Sequence, residues 1–162
     1  MIAHFNARKD LQNLKYVTRY ATTISSLVSI PVFLVLFLFG RSILAFLFGA
    51  QYAGGAAVLS FLILGQMVNT LTGSCDYFLQ MTGLHVAFMK ISIFSGLLNL
   101  GLNIIMAQHF GKEGVAASTA FSLVVQNVLS VLVVHQRTGI WTFASLEIML
   151  QILKLLKNRL HI

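Results

Sequence analysis

Apolar runs separated by short, glycine-marked breaks recur four times along the chain. Each run is close to the roughly 20 apolar residues of helix that cross a bilayer core of about 30 Å. We therefore predict four transmembrane helices, over residues 20–39, 56–80, 88–108 and 115–135. Their short connections favour antiparallel neighbours in a helical bundle. Pro31 lies inside the first run, where it predicts a kink or a broken turn.

The two ends of the chain have a different pattern, in which basic residues alternate with apolar ones at helical spacing. Residues 1–19 and 137–162 are each predicted to form a basic amphipathic segment at the membrane surface. If the N-terminus is cytoplasmic, that side holds nine of the 11 Lys and Arg residues, and only Arg41 and Lys112 face the opposite side. This bias predicts that both termini are cytoplasmic.

Composition supports a membrane protein. Hydrophobic residues make up 57% of the 162 residues and charged residues 9%, against about 25% charged in a typical soluble domain. The mean hydropathy of +0.86 excludes a soluble globular domain and a disordered chain. The net charge of +7 is better explained by lipid headgroups than by nucleic acid, because the basic residues lie beside apolar runs.

The sequence carries no catalytic signature. We find no phosphate-binding glycine loop, no metal-ligand spacing of Cys or His, and no nucleophile motif. Cys75 is the single cysteine, so no internal disulfide can form. We therefore predict a protein that is not an enzyme and that needs no cofactor or metal.

Polar residues inside the apolar runs are the informative feature. In the second run, polar residues and one glycine recur at spacings of three and four, which places them on one face of a helix. Each of the other three runs carries a similar polar stripe. These stripes should face one another or a water-filled cavity, although they could also serve only to hold helices together. The candidate cavity-lining residues are Gln66, Asn69, Asp76, Gln80, Asn99, Asn103 and Gln126.

Asp76 is the one acidic residue inside a predicted span. An aspartate at the centre of a membrane helix costs about 2.5–3.5 kcal/mol on insertion scales, and such residues usually mark a path for an ion or a substrate. The spans offer no Lys or Arg deep enough to pair with it. Asp76 is therefore expected to be protonated, solvated by a cavity or paired with a group outside this chain, and a neutral structural role stays open.

Several short motifs, in order, resemble a known family of transporters. They are Phe-Gly-Ala-Gln-Tyr at 48–52 followed by Ala-Ala-Val-Leu at 56–59, the helix that holds Asn99 and Asn103, and Gly-Lys-Glu-Gly-Val-Ala-Ala-Ser-Thr at 111–119. This arrangement is similar to that of the polysaccharide or O-antigen (Wzx-like) flippases, which belong to the multidrug/oligosaccharidyl-lipid/polysaccharide exporter superfamily. The resemblance covers roughly residues 11–139.

The resemblance implies an all-α integral membrane bundle that is the C-terminal fragment of a two-lobe transporter of 12–14 helices. It implies a place in the bacterial inner membrane and a role in polysaccharide and lipopolysaccharide biosynthesis. The implied substrate is an undecaprenyl-pyrophosphate-linked oligosaccharide, whose cationic binding residues belong mostly to the missing N-terminal part. None of those residues can be assigned to positions in this chain.

Two other functions remain open from the sequence. One is a small four-helix antiporter that couples transport to a proton on Asp76. The other is a non-transporting membrane subunit whose polar faces bind partner helices. Substrate identity cannot be inferred from the sequence, because such cavities are shaped by many scattered side chains.

Overall fold

The computed structural model describes residues 11–73 and 75–139, with side chains described from Tyr20 onward. Every regular element in this part is helical. Helix α1 covers Leu11–Phe48, a 3₁₀ helix covers Ala50–Gly55, α2 covers Ala56–Thr72, α3 covers Cys75–Met81 and α4 covers His85–Thr138. The predicted all-α membrane bundle is confirmed. Residues 1–10 and 140–162, which contain most of the two predicted basic segments, lie outside the described residues.

Three of these helices are long and apolar enough to cross a membrane: residues 20–48 of α1, the segment Ala50–Thr72, and α4. The first is longer than predicted, because the helix continues through Pro31 and through Gly40 and Arg41 to Phe48. The predicted break of the helix at Pro31 does not occur. Proline removes only one donor from the helical ladder, and long membrane helices tolerate this loss.

Helix α4 is a hairpin of two arms. Its 54 residues would extend about 80 Å if straight, but Gly111 has φ 57° and ψ −137° and reverses the chain there. The Ser118 hydroxyl donates a hydrogen bond to Oδ1 of Asn103 across the two arms. The arms, residues 85–110 and 112–138, correspond to the predicted third and fourth spans. The described part of the chain therefore has four membrane-length helical segments.

The second predicted span is not one continuous helix. It ends at Thr72, Gly73 adopts φ 87°, and the short helix α3 begins at Cys75. A positive φ of this kind is accessible to glycine at little cost and is strained for other residues. The chain therefore turns at Gly73, and the polar residues before and after it are carried by two different helices.

The core lies where α3 meets both arms of α4. Its buried apolar side chains come from α3 and from the two arms, and they are Cys75, Phe78, Leu79, Ile91, Val131 and Val134. Helix α2 packs against the second arm through small residues. A Cβ atom added at Gly65 would lie 3.0 Å from Cα of Ala120, so the two backbones approach closely. Close backbone contact through small residues is a common basis of helix packing in membranes.

Candidate functional site

A cavity of about 590 Å³ lies between α1, α2, α3 and the start of α4. Its walls are mainly polar, although the bundle around it is apolar. The polar stripe of α1 forms one wall, the C-terminal end of α2 and the short helix α3 form the other, and Phe88 of α4 lies at its edge. The lining residues are Thr22, Ser25, Ser29, Asn69, Thr70, Gly73, Asp76, Tyr77, Gln80 and Phe88.

Asp76 is held at the back of this cavity by the second arm of α4. The Ser130 hydroxyl donates a hydrogen bond of 3.0 Å to Oδ1 of Asp76, and Ser130 is fully buried. The Gln126 side chain lies near the same carboxyl group. Asp76 itself is half-buried. Of the expected environments for Asp76, the structure therefore provides a cavity, with the Ser130 hydroxyl as a hydrogen-bonding partner.

A smaller polar cleft, of about 130 Å³, runs between the two arms of α4. Asn99, Thr119 and Gln126 are among its lining residues. The Thr119 hydroxyl lies 3.5 Å from Oδ1 of Asn99, at the limit of a hydrogen bond. Because Gln126 lines this cleft and also approaches Asp76, the two polar regions meet at that pair of side chains.

A buried hydrogen bond fixes α2 to the second arm of α4 beside the large cavity. The Thr72 hydroxyl lies 2.8 Å from Oδ1 of Asn127 and donates to it. The amide nitrogen of Asn127 donates to the Leu123 carbonyl at 2.8 Å, so both ends of this side chain are satisfied. The contact stabilises the last turn of α2 immediately before the chain turns at Gly73.

The structure brings together part of the predicted set. Asn69, Asp76 and Gln80 line the large cavity, and Asn99 and Gln126 line the smaller cleft. Asn103 accepts the Ser118 hydrogen bond and so joins the two arms. Gln66 is exposed and does not line either space; its Oε1 accepts a hydrogen bond of 3.3 Å from Asn69. Whether any of these residues contacts a substrate stays a prediction.

Sequence reasoning missed other lining residues. Thr70 and Tyr77 lie next to predicted positions, and Phe88 begins the third predicted span, so none belongs to a polar stripe. Ser130 continues the four-residue spacing that links Ser118, Ser122 and Gln126. That spacing identifies it as a member of the polar stripe of the fourth predicted span.

Comparison with known proteins decides the family. The sequence pattern of the MatE family matches residues 1–105. The chain belongs to the MatE family. It is also 30% identical over 131 residues to the probable low-salt glycan biosynthesis flippase Agl15 of Haloferax volcanii. The match covers 79% of this chain and 27% of that relative, so the chain spans about a quarter of the relative's length. No solved structure matches the chain.

Membership of the MatE family confirms the resemblance seen in the sequence motifs. The relative is named for glycan biosynthesis, and its name does not mention the O-antigen or lipopolysaccharide that the sequence motifs led us to expect. Within residues 11–139, apart from Ser74, no group of three or more His, Cys, Asp or Glu side chains could hold a metal ion.

Proposed function

We propose that this chain is part of a membrane exporter that flips a lipid-linked oligosaccharide from one leaflet to the other. The observation that carries the proposal is the large cavity, in which hydroxyl, amide and carboxyl groups from three helices face one space inside an apolar bundle. Its volume of about 590 Å³ falls within the range of about 300–1,000 Å³ that small-molecule sites occupy. The family and the glycan flippase relative support the same function.

The chemistry of the cavity suits a sugar. Sugar hydroxyls both donate and accept hydrogen bonds, and so do the hydroxyl and amide groups of Ser25, Asn69 and Gln80. A carboxylate such as Asp76 accepts two sugar hydroxyls at once, and the ring of Tyr77 offers an apolar face beside it. These groups replace the water that a glycan loses on entering the membrane, and the loss would otherwise be costly.

The lipid part of the substrate would stay in the bilayer. Helix α1 exposes large apolar side chains along most of its length, among them Val28, Leu34 and Leu38. These residues offer an apolar surface beside the polar wall of the same helix. We propose that the carrier is the undecaprenyl pyrophosphate that the family resemblance implies, that its charged group binds elsewhere in a longer assembly, and that both termini of this chain are cytoplasmic.

The test introduces substitutions of cavity residues into the chromosomal gene, so that the assay uses the polypeptide that the gene naturally produces. Gln80→Leu and Asp76→Leu should reduce surface glycan at least tenfold and leave membrane insertion unchanged. Gln108→Leu is the matched control, since Gln108 is exposed and lies outside the cavity. Lectin labelling of intact cells measures the product. Normal surface glycan in both cavity variants, at normal protein levels, would exclude the cavity as the glycan path.

A proton-coupled antiporter is the second candidate, because the carboxyl group of Asp76 lines the large cavity. In that case Asp76→Asn would abolish the pH dependence of efflux of small organic cations from proteoliposomes. A flippase that uses Asp76 only as a hydrogen-bond acceptor would instead keep most of its glycan transport in Asp76→Asn, since the amide still offers one acceptor oxygen.

A further inference from the structure

A second pocket lies at the opposite end of α2 from the large cavity, where the chain passes from α1 through the 3₁₀ helix into α2. Its volume is about 390 Å³. Its apolar lining side chains are those of Leu44, Val58, Leu59 and Leu62. Its polar lining side chains are those of Gln51, Tyr52 and Lys112. The pocket therefore combines an apolar lining with a single cationic group and two neutral hydrogen-bonding groups.

Lys112 reaches this pocket from the turn of the α4 hairpin. Its Nζ lies 4.0 Å from the position that a Cβ atom would occupy at Gly54. The amine therefore lies beside the 3₁₀ helix, although Lys112 and Gly54 are distant in the sequence. Within the described part of the chain, the Lys112 amine makes no ion pair or hydrogen bond. The pocket thus presents one uncompensated positive charge.

The surroundings place this charge at the membrane surface. The last residues of α1 before the pocket, Phe46, Leu47 and Phe48, are exposed large apolar side chains, as expected of a segment in contact with lipid. The ring of Tyr52 packs edge-on against Phe48, with 6.0 Å between the ring centroids. Tyrosine is enriched at the level of the lipid headgroups, where its ring meets the acyl chains and its hydroxyl meets water.

We propose that this pocket binds one anionic phospholipid of the bilayer. The phosphate would lie on the Lys112 amine, with the Tyr52 hydroxyl and the Gln51 amide as further donors, and one acyl chain would follow the apolar lining. Basic pockets between transmembrane helices bind anionic lipid headgroups on the cytoplasmic side, and in the predicted topology this pocket would take a lipid of the opposite leaflet by the same chemistry. The site is separate from the large cavity and does not depend on the proposed transport function.

The test purifies the polypeptide that the gene produces, in detergent with added phosphatidylglycerol, and counts the retained lipid by native mass spectrometry. We expect one lipid per chain. Lys112→Ala should weaken retention about fivefold, because one lysine near a headgroup contributes about that factor, and Lys112→Arg should retain the lipid. Lys90→Ala is the matched control, since Lys90 is exposed and lies outside the pocket. Equal retention by Lys112→Ala and the wild type would overturn the proposal.

Two further measurements distinguish the contribution of the acyl chain to lipid binding from the contribution of the phosphate. Gly55→Leu places a side chain in the groove, where its Cβ would lie 3.6 Å from Cδ1 of Leu44, and Gly55 has an ordinary φ of −83°. This variant should lose the lipid although Lys112 is intact. Millimolar inorganic phosphate should not displace the lipid. Displacement of the lipid by phosphate alone would indicate a site for free anions. Absence of bound lipid from the wild type would indicate that another part of the protein covers the groove. Either result would overturn the proposal.

Discussion

The Ser130 hydroxyl donates a 3.0 Å hydrogen bond to Oδ1 of Asp76, although the two residues are 54 positions apart. The bond joins the short helix α3 to the second arm of the α4 hairpin. It also occupies one oxygen of the carboxyl group that lines the large cavity. Asp76 therefore belongs both to the packing of the bundle and to the surface of the proposed substrate path.

Removing this bond should destabilise the protein. Ser130 is fully buried, so Ser130→Ala leaves an acceptor on Asp76 with one partner fewer. Because Asp76 lines the cavity and water can reach its carboxyl group, we expect a loss of about 0.5–1.5 kcal/mol in the free energy of unfolding, the usual net contribution of one hydrogen bond. Reversible unfolding in mixed detergent micelles measures it. Ser42→Ala, at an exposed position of α1, should change the free energy of unfolding little; equal effects of the two variants would contradict the role of Ser130.

The turn of the α4 hairpin offers a comparison between two glycines in open space. A Cβ atom at Gly111 or at Gly101 would meet no atom within 4 Å, but only Gly111 has a positive φ, of 57°. Gly111→Ala should cost about 1–3 kcal/mol through backbone strain alone, since residues with a side chain rarely adopt this φ and ψ. Gly101→Ala should be neutral or stabilising by about 0.5–1 kcal/mol, since alanine favours a helix interior. The same unfolding assay distinguishes them, and two equal values would mean that the turn does not need glycine.

Close packing of α2 on α4 makes a third prediction. An added Cβ at Gly65 would lie 3.0 Å from the backbone Cα of Ala120, which cannot move without moving the helix. Gly65→Ala should therefore destabilise the bundle by about 1–3 kcal/mol. Gly96→Ala is the control, because nothing lies within 4 Å of that position. A Gly65→Ala variant as stable as the wild type would show that the two helices separate easily.

A double-mutant cycle measures the coupling energy of the Thr72–Asn127 hydrogen bond. In a double-mutant cycle with Thr72→Val and Asn127→Leu, we expect a coupling energy of about 0.6 kcal/mol, the average for hydrogen bonds between membrane helices. A second cycle that pairs Thr72→Val with Gln108→Leu should be additive, since no contact joins these side chains. A coupling of zero in the first cycle would remove this hydrogen bond as a stabilising contact.

Hydration of the large cavity can be tested with introduced cysteines. The single native cysteine, Cys75, is fully buried, so it should not react with a water-soluble maleimide and need not be removed. Ser25→Cys and Gln80→Cys face the cavity and should react. Leu97, 65% exposed, lies on an apolar face that we expect to contact lipid, so Leu97→Cys should stay unlabelled. Labelling of the lipid-facing cysteine alone would contradict a water-filled cavity.

The sequence predicts the helices better than it predicts their ends. Spacing along 66–80 predicts one polar face of one helix, whereas Asn69 lies on α2 and Asp76 and Gln80 lie on α3, and the three line one cavity across the turn at Gly73. The break at Gly73 could not be anticipated, because a glycine within an apolar run can equally be a packing position in an unbroken helix. Gln66 follows the same spacing but lies outside the cavity.

The spacing of polar and apolar residues does not predict which distant segments contact each other. Periodicity identifies the face of a helix on which Ser130 lies, but it does not say which neighbour that face meets. The pairing of Asp76 with Ser130 depends on the reversal at Gly111 and on the position of α3 against both arms. The predicted spans 88–108 and 115–135 leave 109–114 as a connection, and the structure confines the non-helical backbone within it to Gly111.

The two walls of the large cavity are anchored differently. Asp76 and Tyr77 belong to α3, whose neighbouring Phe78 and Leu79 are fully buried in the core. The opposite wall is α1, which contributes no buried apolar side chain among its described residues 20–48; its buried side chains are the small polar ones of Thr22, Thr23 and Ser26. The wall of α3 is thus fixed by apolar packing in the core, whereas α1 is joined to the opposite wall by a polar contact, the hydrogen bond of 3.2 Å that the Ser26 hydroxyl donates to the Thr70 carbonyl. The width of the space between the walls therefore depends on small polar contacts of α1 and not on the apolar core.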